Sequence, residues 1–279
     1  MKISIHIISF LLVLLVILGC SENKKKKQEA TNWKFSKEIP LGNISPIGIV
    51  AQGNFLWLSD VANNRIVKID LDGTMIESFD GFQRPMHIAI QEDKIYVPEY
   101  TSDTVKIIEN GTVSTFALKE NTDAIAGIAI DGNTFAVTDF YNHRIIFQQD
   151  DKVTIIGKEG HNDGELYYPT DVDINNDLIY VADAYNNRVQ VFDLKGKFLN
   201  DIGNQDRVNV ASAVSVNGSY IAIADQENSR VLIYNIDGFL LQILEENINY
   251  PTEVLLDKEN LYIANFKENT LSVYIIMEI

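Results

Sequence analysis

The chain has 279 residues, of which 46% are hydrophobic and 22% are charged, and it contains one cysteine. Its 39 acidic and 23 basic residues give a formal net charge of -16, and no run of Lys or Arg interrupts the globular part. This charge repels phosphate backbones, so the composition argues against a nucleic-acid partner. A single cysteine excludes an internal disulfide.

The N-terminus predicts a signal peptide over residues 1–19. Lys2 precedes an almost wholly apolar run from Ile7 to Leu18, and Gly19 and Cys20 follow it. This arrangement resembles the lipobox of bacterial lipoprotein signal peptides, which implies that Cys20 is the lipidated first residue of the mature chain. Two alternatives remain open: a transmembrane anchor, for which the run is short of about 20 residues, and an ordinary signal peptide with a chance cysteine.

Residues 20–31 predict a lipidated cysteine followed by a flexible tether, because Ala30 is the only apolar residue after Cys20. The four lysines from Lys24 to Lys27 either contact anionic head groups or simply keep the tether solvated. We therefore expect a protein bound to a membrane through the lipid on Cys20. Its expected location is the bacterial cell envelope, outside the cytoplasm, on the periplasmic side or at the cell surface.

Residues 32–279 have a globular composition and contain an internal repeat, which is best formed from Pro169 to Gly203. Four short runs rich in Val, Ile, Tyr and Phe alternate there with turns rich in Asn, Asp and Gly, a pattern typical of four antiparallel strands. The end of the second strand recurs with spacings of 39, 40, 44, 42 and 40 residues, at Asp60, Glu99, Asp139, Asp183, Asp225 and Asn265. The sequence therefore predicts an all-β fold, a six-bladed β-propeller of four-stranded antiparallel blades.

The two ends of the globular part predict how the ring closes. The sixth unit, from Pro251 to Ile279, has three strands, and one spare strand, Trp33 to Leu41, precedes the first unit. We expect the N-terminal strand to complete the last blade, which leaves no free sheet edge.

Several motifs of the repeat resemble the NHL repeat over about 240 residues, from Trp33 to the C-terminus. These are apolar-Tyr-Val-Ala-Asp, Asn-x-Arg-Val-x-Val-Phe, Gly-Lys-Phe and the Gly-rich connection from Gly157 to Pro169. The second and sixth units depart from the pattern at Glu99, Thr104, Asn265 and Thr270. The resemblance implies a six-bladed propeller and implies little about activity, because propellers host binding proteins, lyases and hydrolases.

Four strand-end aspartates, each followed five residues later by an arginine, are expected to be structural. We predict that each carboxylate accepts hydrogen bonds from backbone N–H groups of the turn that follows it, and pairs with an arginine. Four equivalent copies indicate a structural contact of the repeat rather than one active site. We call this contact, a strand-end carboxylate with its donors, a bracket. The pairs are Asp60 with Arg65, Asp139 with Arg144, Asp183 with Arg188 and Asp225 with Arg230.

The first candidate site lies two residues after each unit's proline position, where the six units differ. The residues in order are Gly48, His87, Gly127, Asp171, Ala213 and Glu253. His87, Asp171 and Glu253 therefore fall in alternate blades, a three-fold arrangement about the axis. One imidazole and two carboxylates suit Zn²⁺ or another divalent metal with water in an open position. The alternative is a ring of solvated polar side chains at a channel entrance.

The second candidate site is the turn after each second strand, which opens on the same face as the connections between blades. Aromatic residues occur in this normally polar turn at Tyr100, Phe140, Tyr141, Tyr185 and Phe266. They indicate either a rim that binds a ligand or protein partner, or side chains that pack on adjacent blades.

These patterns favour a binding or scaffolding propeller of the cell envelope, with a protein or small-molecule ligand at the channel face. The alternative is a metal-dependent lyase or hydrolase with its site on the propeller axis. No Gly-x-Ser-x-Gly elbow and no phosphate-binding loop occurs in the sequence. In the peptide-amidating lyase, an NHL-type propeller, the metal histidines belong to a Pro-His dipeptide in this region. No residue that directly follows a proline position of the six units here is His, so that metal site and its lyase activity do not carry over.

Overall fold

The computed structural model describes residues 32–277. The signal peptide, Cys20 and the tether predicted from the sequence lie outside the described residues. Within the described part, no helix is long and apolar enough to cross a membrane.

Six antiparallel sheets of four strands build the described residues, and we number them as blades in chain order. The chain begins with β1 (Trp33–Pro40), followed by the strands of blade one, β2 (Pro46–Gln52), β3 (Phe55–Asp60), β4 (Arg65–Asp70) and β5 (Met75–Asp80). Blade two contains β6 (Ala89–Gln91), β7 (Lys94–Glu99), β8 (Thr104–Glu109) and β9 (Thr112–Phe116). Blade three contains β10 (Ile125–Asp131), β11 (Thr134–Asp139), β12 (Arg144–Gln149) and β13 (Lys152–Ile156).

The second half of the chain repeats this plan, with two short 3₁₀-helices at Ala184–Asn186 and Asn204–Asp206. Blade four contains β14 (Asp171–Asn175), β15 (Leu178–Asp183), β16 (Arg188–Asp193) and β17 (Phe198–Ile202). Blade five contains β18 (Ala211–Val216), β19 (Tyr220–Asp225), β20 (Arg230–Asn235) and β21 (Leu240–Leu244). Blade six contains β22 (Pro251–Asp257), β23 (Asn260–Asn265) and β24 (Thr270–Ile276), completed by β1.

Burial within a blade follows the order of its strands. The first strands of neighbouring blades contact one another around the ring, so they line the axis. Second strands are almost fully buried, as in β11, because they have strand neighbours on both sides and sheets packed on both faces. Fourth strands such as β5 and β9 form the outer edge and are mostly exposed. The six blades together make the all-β six-bladed propeller that the sequence predicts.

The hydrophobic core is divided among the six boundaries between blades. Each of the six apolar clusters in residues 32–277 mixes side chains of two neighbouring blades, and none belongs to a single blade. In the cluster between blades four and five, for example, Val189 of β16 packs with Ile223 of β19. A blade can therefore bury its two faces only inside the closed ring.

The N-terminal strand closes the ring as the sequence predicts. β1 pairs with β24 in antiparallel register from Trp33 opposite Ile276 to Pro40 opposite Thr270. The side-chain amide of Gln242, in blade five, bonds to both the backbone N–H and the C=O of Trp33, each at 2.9 Å. The closing strand is thus attached to its own sheet and to the neighbouring blade.

The strand-end aspartates form the predicted brackets with arginine, with Nε–Oδ2 distances of 2.6 to 3.0 Å in all four pairs. The prediction that the following turn supplies the backbone donors was wrong. The N–H groups come from the connection before the blade. The Ser45 N–H donates to Asp60 at 3.0 Å, for example, and the Tyr167 N–H donates to Asp183 at 2.7 Å. The turn contributes an asparagine side chain instead, such as Asn63. Each bracket therefore ties the inter-blade connection to the second and third strands.

The two atypical units keep the bracket with different groups. Glu99 of blade two accepts the Gln83 N–H at 2.8 Å and the Thr104 hydroxyl at 2.7 Å. Asn265 of blade six accepts the Asn249 N–H at 3.0 Å and donates to the Thr270 hydroxyl at 3.2 Å. A threonine hydroxyl replaces the guanidinium in both units, which explains why Thr stands where Arg is usual.

Candidate functional site

One face of the disc, here called the mouth face, carries the turns after the second strands together with the connections between blades. In blade two the Tyr100 N–H donates to the Arg84 C=O at 3.1 Å, and in blade four the Tyr185 N–H donates to the Tyr167 C=O at 3.2 Å. The turns between first and second strands and between third and fourth strands lie on the opposite face, because alternate turns of a meander share an end. Both predicted sites therefore belong to the mouth face.

Four of the five predicted aromatic residues join one continuous cluster across blades two, three and four. The ring centroids of Tyr100 and Phe140 are 5.7 Å apart, those of Phe140 and Tyr141 are 5.0 Å apart, and Tyr185 reaches the cluster through Tyr168 at 5.4 Å. We call this cluster the aromatic mouth; its members are Tyr100, Phe140, Tyr141, Tyr167, Tyr168 and Tyr185. Among the described residues, no ring contact joins Phe266 to it.

Burial at the mouth face raises the pKa of two phenol groups, those of Tyr100 and Tyr250. Burial raises the pKa of Tyr100 first, and the neighbouring phenols of Tyr141 and Tyr185 raise it further, whereas the nearby Arg84 lowers it. Burial also raises the pKa of Tyr250, on the connection before blade six, and Tyr185 contributes to that shift. The phenols of Tyr100 and Tyr250 therefore keep their protons at neutral pH.

The connections place a second three-fold set of large side chains at the mouth. Arg84, Tyr168 and Tyr250 each stand three residues before a predicted metal ligand, and all three have positive φ, between 53° and 58°. The backbone N–H of each donates to a side chain of the preceding blade at 3.0 to 3.2 Å. The acceptors, in the same order, are Asn64, His143 and Ser229. The equivalent residues before blades three and five are Ala124 and Val210. Large side chains thus alternate with smaller ones around the entrance.

His87, Asp171 and Glu253 converge below this entrance. Their ligand atoms all lie within 4.8 Å of one another, and Nδ1 of His87 is 2.9 Å from Oε2 of Glu253. Side chains from alternate blades of a ring can meet only near its axis, so we call these three residues the axial cluster. All three are buried, with 4 to 5% of each residue exposed.

Small residues in the odd blades allow the inner strands to approach closely enough for this convergence. A Cβ atom added to Gly48 would lie 2.6 Å from the Met86 carbonyl oxygen and 2.9 Å from the His87 Cα. A Cβ atom on Gly127 would lie 2.8 Å from the Asp171 Cα. The alternation of glycine with a polar residue is therefore a packing requirement of this ring.

Backbone N–H groups fix one oxygen of each carboxylate in the axial cluster. Oδ2 of Asp171 accepts the N–H of Val214, in blade five, at 3.0 Å. Oε1 of Glu253 accepts the N–H of Val254, in its own blade, at 2.9 Å. The neighbouring blade five thus holds the Asp171 side chain, and each acid keeps further acceptor capacity.

Burial controls the protonation of the axial cluster. It lowers the pKa of His87, which nearby Asp171 partly offsets. Burial, followed by the neighbouring charge of Glu253, raises the pKa of Asp171 to about 8. Burial also raises the pKa of Glu253 well above its ordinary value. Without a cation, the neutral imidazole and at least one protonated carboxyl group are the favoured states near pH 7.

The channel below the cluster contains a cavity of about 180 Å³, whose lining includes Asp171, Glu253, Asp173 and Ser215. Asp173 stands two residues after Asp171 on β14, so the two side chains share one face of the strand. Burial raises the pKa of Asp173 to about 7, and the Val216 N–H bonds its Oδ2 at 2.7 Å. The sequence analysis missed Asp173, although its period-two relation to Asp171 was a usable signal.

The remaining described histidines have structural partners near the mouth. His143 accepts the Tyr168 N–H at Nδ1 and stacks on Tyr167, with ring planes 5° apart. His161 bonds the Asn186 side chain. Sequence reasoning also missed Tyr167 and Tyr168, whose signal was a pair of tyrosines inside the otherwise polar connection before blade four.

Comparison with protein families identifies the repeat in blade four, where residues 166–192 match the family model described as NHL repeat. The protein is a six-bladed β-propeller with an NHL repeat. No curated protein matches its sequence. The matched segment of this propeller contains both Asp171 of the axial cluster and the bracket of Asp183 with Arg188. One repeat therefore supplies a residue of the candidate site and a structural contact of its blade.

Solved structures similar to this propeller share its fold at low sequence identity. A streptogramin B lyase is 12% identical with a TM-score of 0.67, covering 88% of this chain and 98% of that chain. A catalytically inactive virginiamycin B lyase from Staphylococcus aureus, solved with quinupristin, is 17% identical with a TM-score of 0.64, covering 88% of each chain. A chain of a nidogen/laminin complex is 18% identical with a TM-score of 0.63, covering 76% of this chain and 86% of that chain.

Proposed function

We propose that the protein is a binding propeller that holds a protein partner or small-molecule ligand at its mouth face. The observation that carries this proposal is the aromatic mouth, in which 49% of Tyr141 and 55% of Tyr185 are exposed. Tyrosine supplies a large apolar surface with a hydrogen-bonding group at its end, and it is enriched among residues that dominate binding energy.

The rigidity of the aromatic mouth supports a binding role. Tyr100 is held between Phe140 and the Arg84 guanidinium, which lies 4.3 Å from the Tyr100 ring centroid. Side chains already fixed by ring contacts lose little conformational freedom when a ligand arrives, so more of the contact energy contributes to affinity. The ligand chemistry that fits is an apolar surface edged by groups that hydrogen-bond to phenols.

The proposal includes a membrane anchor that keeps the propeller outside the bacterial cytoplasm. Its support is the lipobox-like sequence before Cys20, the only cysteine of the chain. A Cys20→Ser variant should move from the membrane to the soluble fraction, and mass spectrometry of the N-terminal peptide should lose the lipid. A variant that stays in the membrane would contradict the lipid anchor and would leave the mouth-face proposal standing.

The mouth-face proposal is tested by replacing Tyr141 and Tyr185 together with serine. Both are about half exposed, so the fold should tolerate the change, which circular dichroism checks. The matched control is Phe239→Ser, because 63% of Phe239 is exposed and it lies in a turn between third and fourth strands, on the opposite face. Crosslinking of the full chain in intact envelopes should lose its adducts in the double variant and keep them in the control. An unchanged pattern would count against the mouth face.

A metal-dependent lyase or hydrolase is the second candidate, and the observation that favours it is the axial cluster directly below the mouth. The likeness to the two lyase structures is one of fold, so it assigns no substrate. This candidate requires stoichiometric metal in the chain purified without chelator. Absence of metal would remove the enzyme hypothesis and would leave the binding proposal untouched.

A further inference from the structure

We propose that the axial cluster, His87, Asp171 and Glu253, is a binding site for one divalent transition-metal ion of the Zn²⁺ or Mn²⁺ class. The proposal is independent of the mouth-face function, because it concerns side chains inside the channel.

The spacing of the three ligand groups fits one metal ion. Ligand atoms around a tetrahedral Zn²⁺ lie about 3.3 Å apart, since each bond is about 2.0 to 2.1 Å long. The three groups here start within 4.8 Å of one another, so small side-chain rotations suffice.

The three ligands stand on a rigid frame. Each belongs to a different inner strand or its entry, and the glycines at 48 and 127 bring these strands together. Backbone N–H groups of Val214 and Val254 orient the two carboxylates. Such outer hydrogen bonds orient metal ligands in known metal sites and are needed for full affinity. A chance group of polar side chains at a channel entrance would not require this support.

The charge balance inside the cluster points to a cation. The strand-end aspartates of the repeat each have an arginine, whereas in residues 32–277 His87 is the only basic group in an ion pair with Asp171 or Glu253. Two buried carboxylates without a cationic side chain are costly when ionised. A divalent ion bound by two carboxylates and a neutral imidazole gives a neutral centre.

The second ring nitrogen of His87 provides a further sign of an open ligand position. Only 5% of the His87 side chain is exposed, and its Nδ1 bonds Glu253. Its Nε2 has no hydrogen-bond partner among the described residues. Imidazole together with carboxylate favours Zn²⁺, Mn²⁺ or Fe²⁺ over Ca²⁺, which prefers oxygen ligands alone. Three protein ligands leave an open position toward the cavity for water.

The test uses the full chain, stripped with a chelator and titrated with Zn²⁺ by calorimetry, with Co²⁺ as a spectroscopic probe of coordination. We expect one equivalent to bind and the melting temperature to rise with metal. Asp171→Asn should weaken Zn²⁺ binding by at least about 100-fold and remove the metal-dependent rise. This change is isosteric, so the metal-free variant should melt close to the wild-type temperature, which separates lost binding from lost folding.

The matched control is His161→Ala, which removes a histidine of the exposed connection before blade four and should bind Zn²⁺ as wild type does. His87→Ala should behave as Asp171→Asn does, and the intense visible absorption of four-coordinate Co²⁺ should disappear. Failure of the stripped wild-type chain to bind Zn²⁺ or Mn²⁺ stoichiometrically would overturn the proposal. Equal Zn²⁺ affinity in wild type and Asp171→Asn would overturn it as well.

Discussion

Gly127 and Asp171 meet across the boundary between blades three and four, where a Cβ atom on Gly127 would lie 2.8 Å from the Asp171 Cα and 3.1 Å from its Oδ1. Real Cβ atoms do not approach backbone this closely, so any side chain at 127 must move β14 outward. The same relationship holds between Gly48 and His87. The packing of the ring and the geometry of the axial cluster therefore depend on the same two glycines.

We predict that Gly127→Ala lowers the free energy of unfolding by about 3 kcal/mol, the upper end for overpacking in a rigid core. Denaturant unfolding followed by circular dichroism measures it. The control is Gly53→Ala, since a Cβ atom there meets nothing within 4 Å and the φ of +61° adds only local strain, about 1 kcal/mol. An equal decrease in the free energy of unfolding of the two variants would show that the ring accommodates a Cβ atom at position 127 without overpacking.

The second prediction concerns pH and Asp171, whose pKa burial raises to about 8. The unfolded carboxyl group loses its proton near pH 4, whereas the folded one keeps it until about pH 8. The unfolded state therefore binds fewer protons in between, and stability falls as pH rises. Asp173 acts in the same direction up to about pH 7. His87, whose pKa is lowered, acts in the opposite direction only below about pH 6.5.

Chelated wild-type protein should consequently lose stability between pH 6.5 and 8, and Asp171→Asn should lose less. The difference between the two slopes is at most about 1.4 kcal/mol per pH unit. Thermal melts across this range measure it. Asp151→Asn is the control, because the hydrogen bond from Lys119 holds the pKa of Asp151 below its ordinary value, so it stays ionised throughout. Parallel slopes for wild type and Asp171→Asn would contradict the raised pKa.

The repeat pattern made the fold and the convergence of His87, Asp171 and Glu253 predictable, because equivalent positions in a closed ring lie at equal depth. The backbone donors of the brackets were not predictable, since they come from connections about 16 residues earlier that only the closed fold brings near. Phe266 illustrates the same limit. It occupies the aromatic turn position, but the equivalent residues of the blades on either side are Val61 and Gln226, so it has no ring to contact.

The third prediction compares a buried bracket with a surface ion pair. Arg188 is 4% exposed, and it donates to Oδ2 of Asp183 at 3.0 Å and to the Asn162 C=O at 2.8 Å. Arg188→Ala leaves Asp183 buried without its cation, so we expect a loss of about 3 kcal/mol. Lys119→Ala breaks the exposed pair with Asp151 and should cost much less, because water and salt screen an exposed ion pair. Urea unfolding measures both, and similar costs would mean that the bracket's other donors compensate for the arginine.

The fourth prediction concerns the two tryptophans and the closure of the ring. Trp33, on the closing strand, is 2% exposed, and its buried Nε1 has no partner in residues 32–277. Nε1 of Trp57 donates to Oε1 of Gln52 at 2.9 Å. A buried unsatisfied donor costs about 1 to 3 kcal/mol, and Trp33→Phe removes this cost while keeping an aromatic ring. Trp57→Phe removes a hydrogen bond that is made.

Trp33→Phe should therefore be less destabilising than Trp57→Phe by about 1 kcal/mol. Each variant keeps the other tryptophan as its fluorescence reporter in urea unfolding, because the chain has only two. The Trp33 backbone bonds to Gln242 do not involve the indole, so they should survive the change. A larger loss in Trp33→Phe would mean that the closing strand depends on the full indole volume against Tyr220, whose ring centroid lies 5.9 Å from that of Trp33.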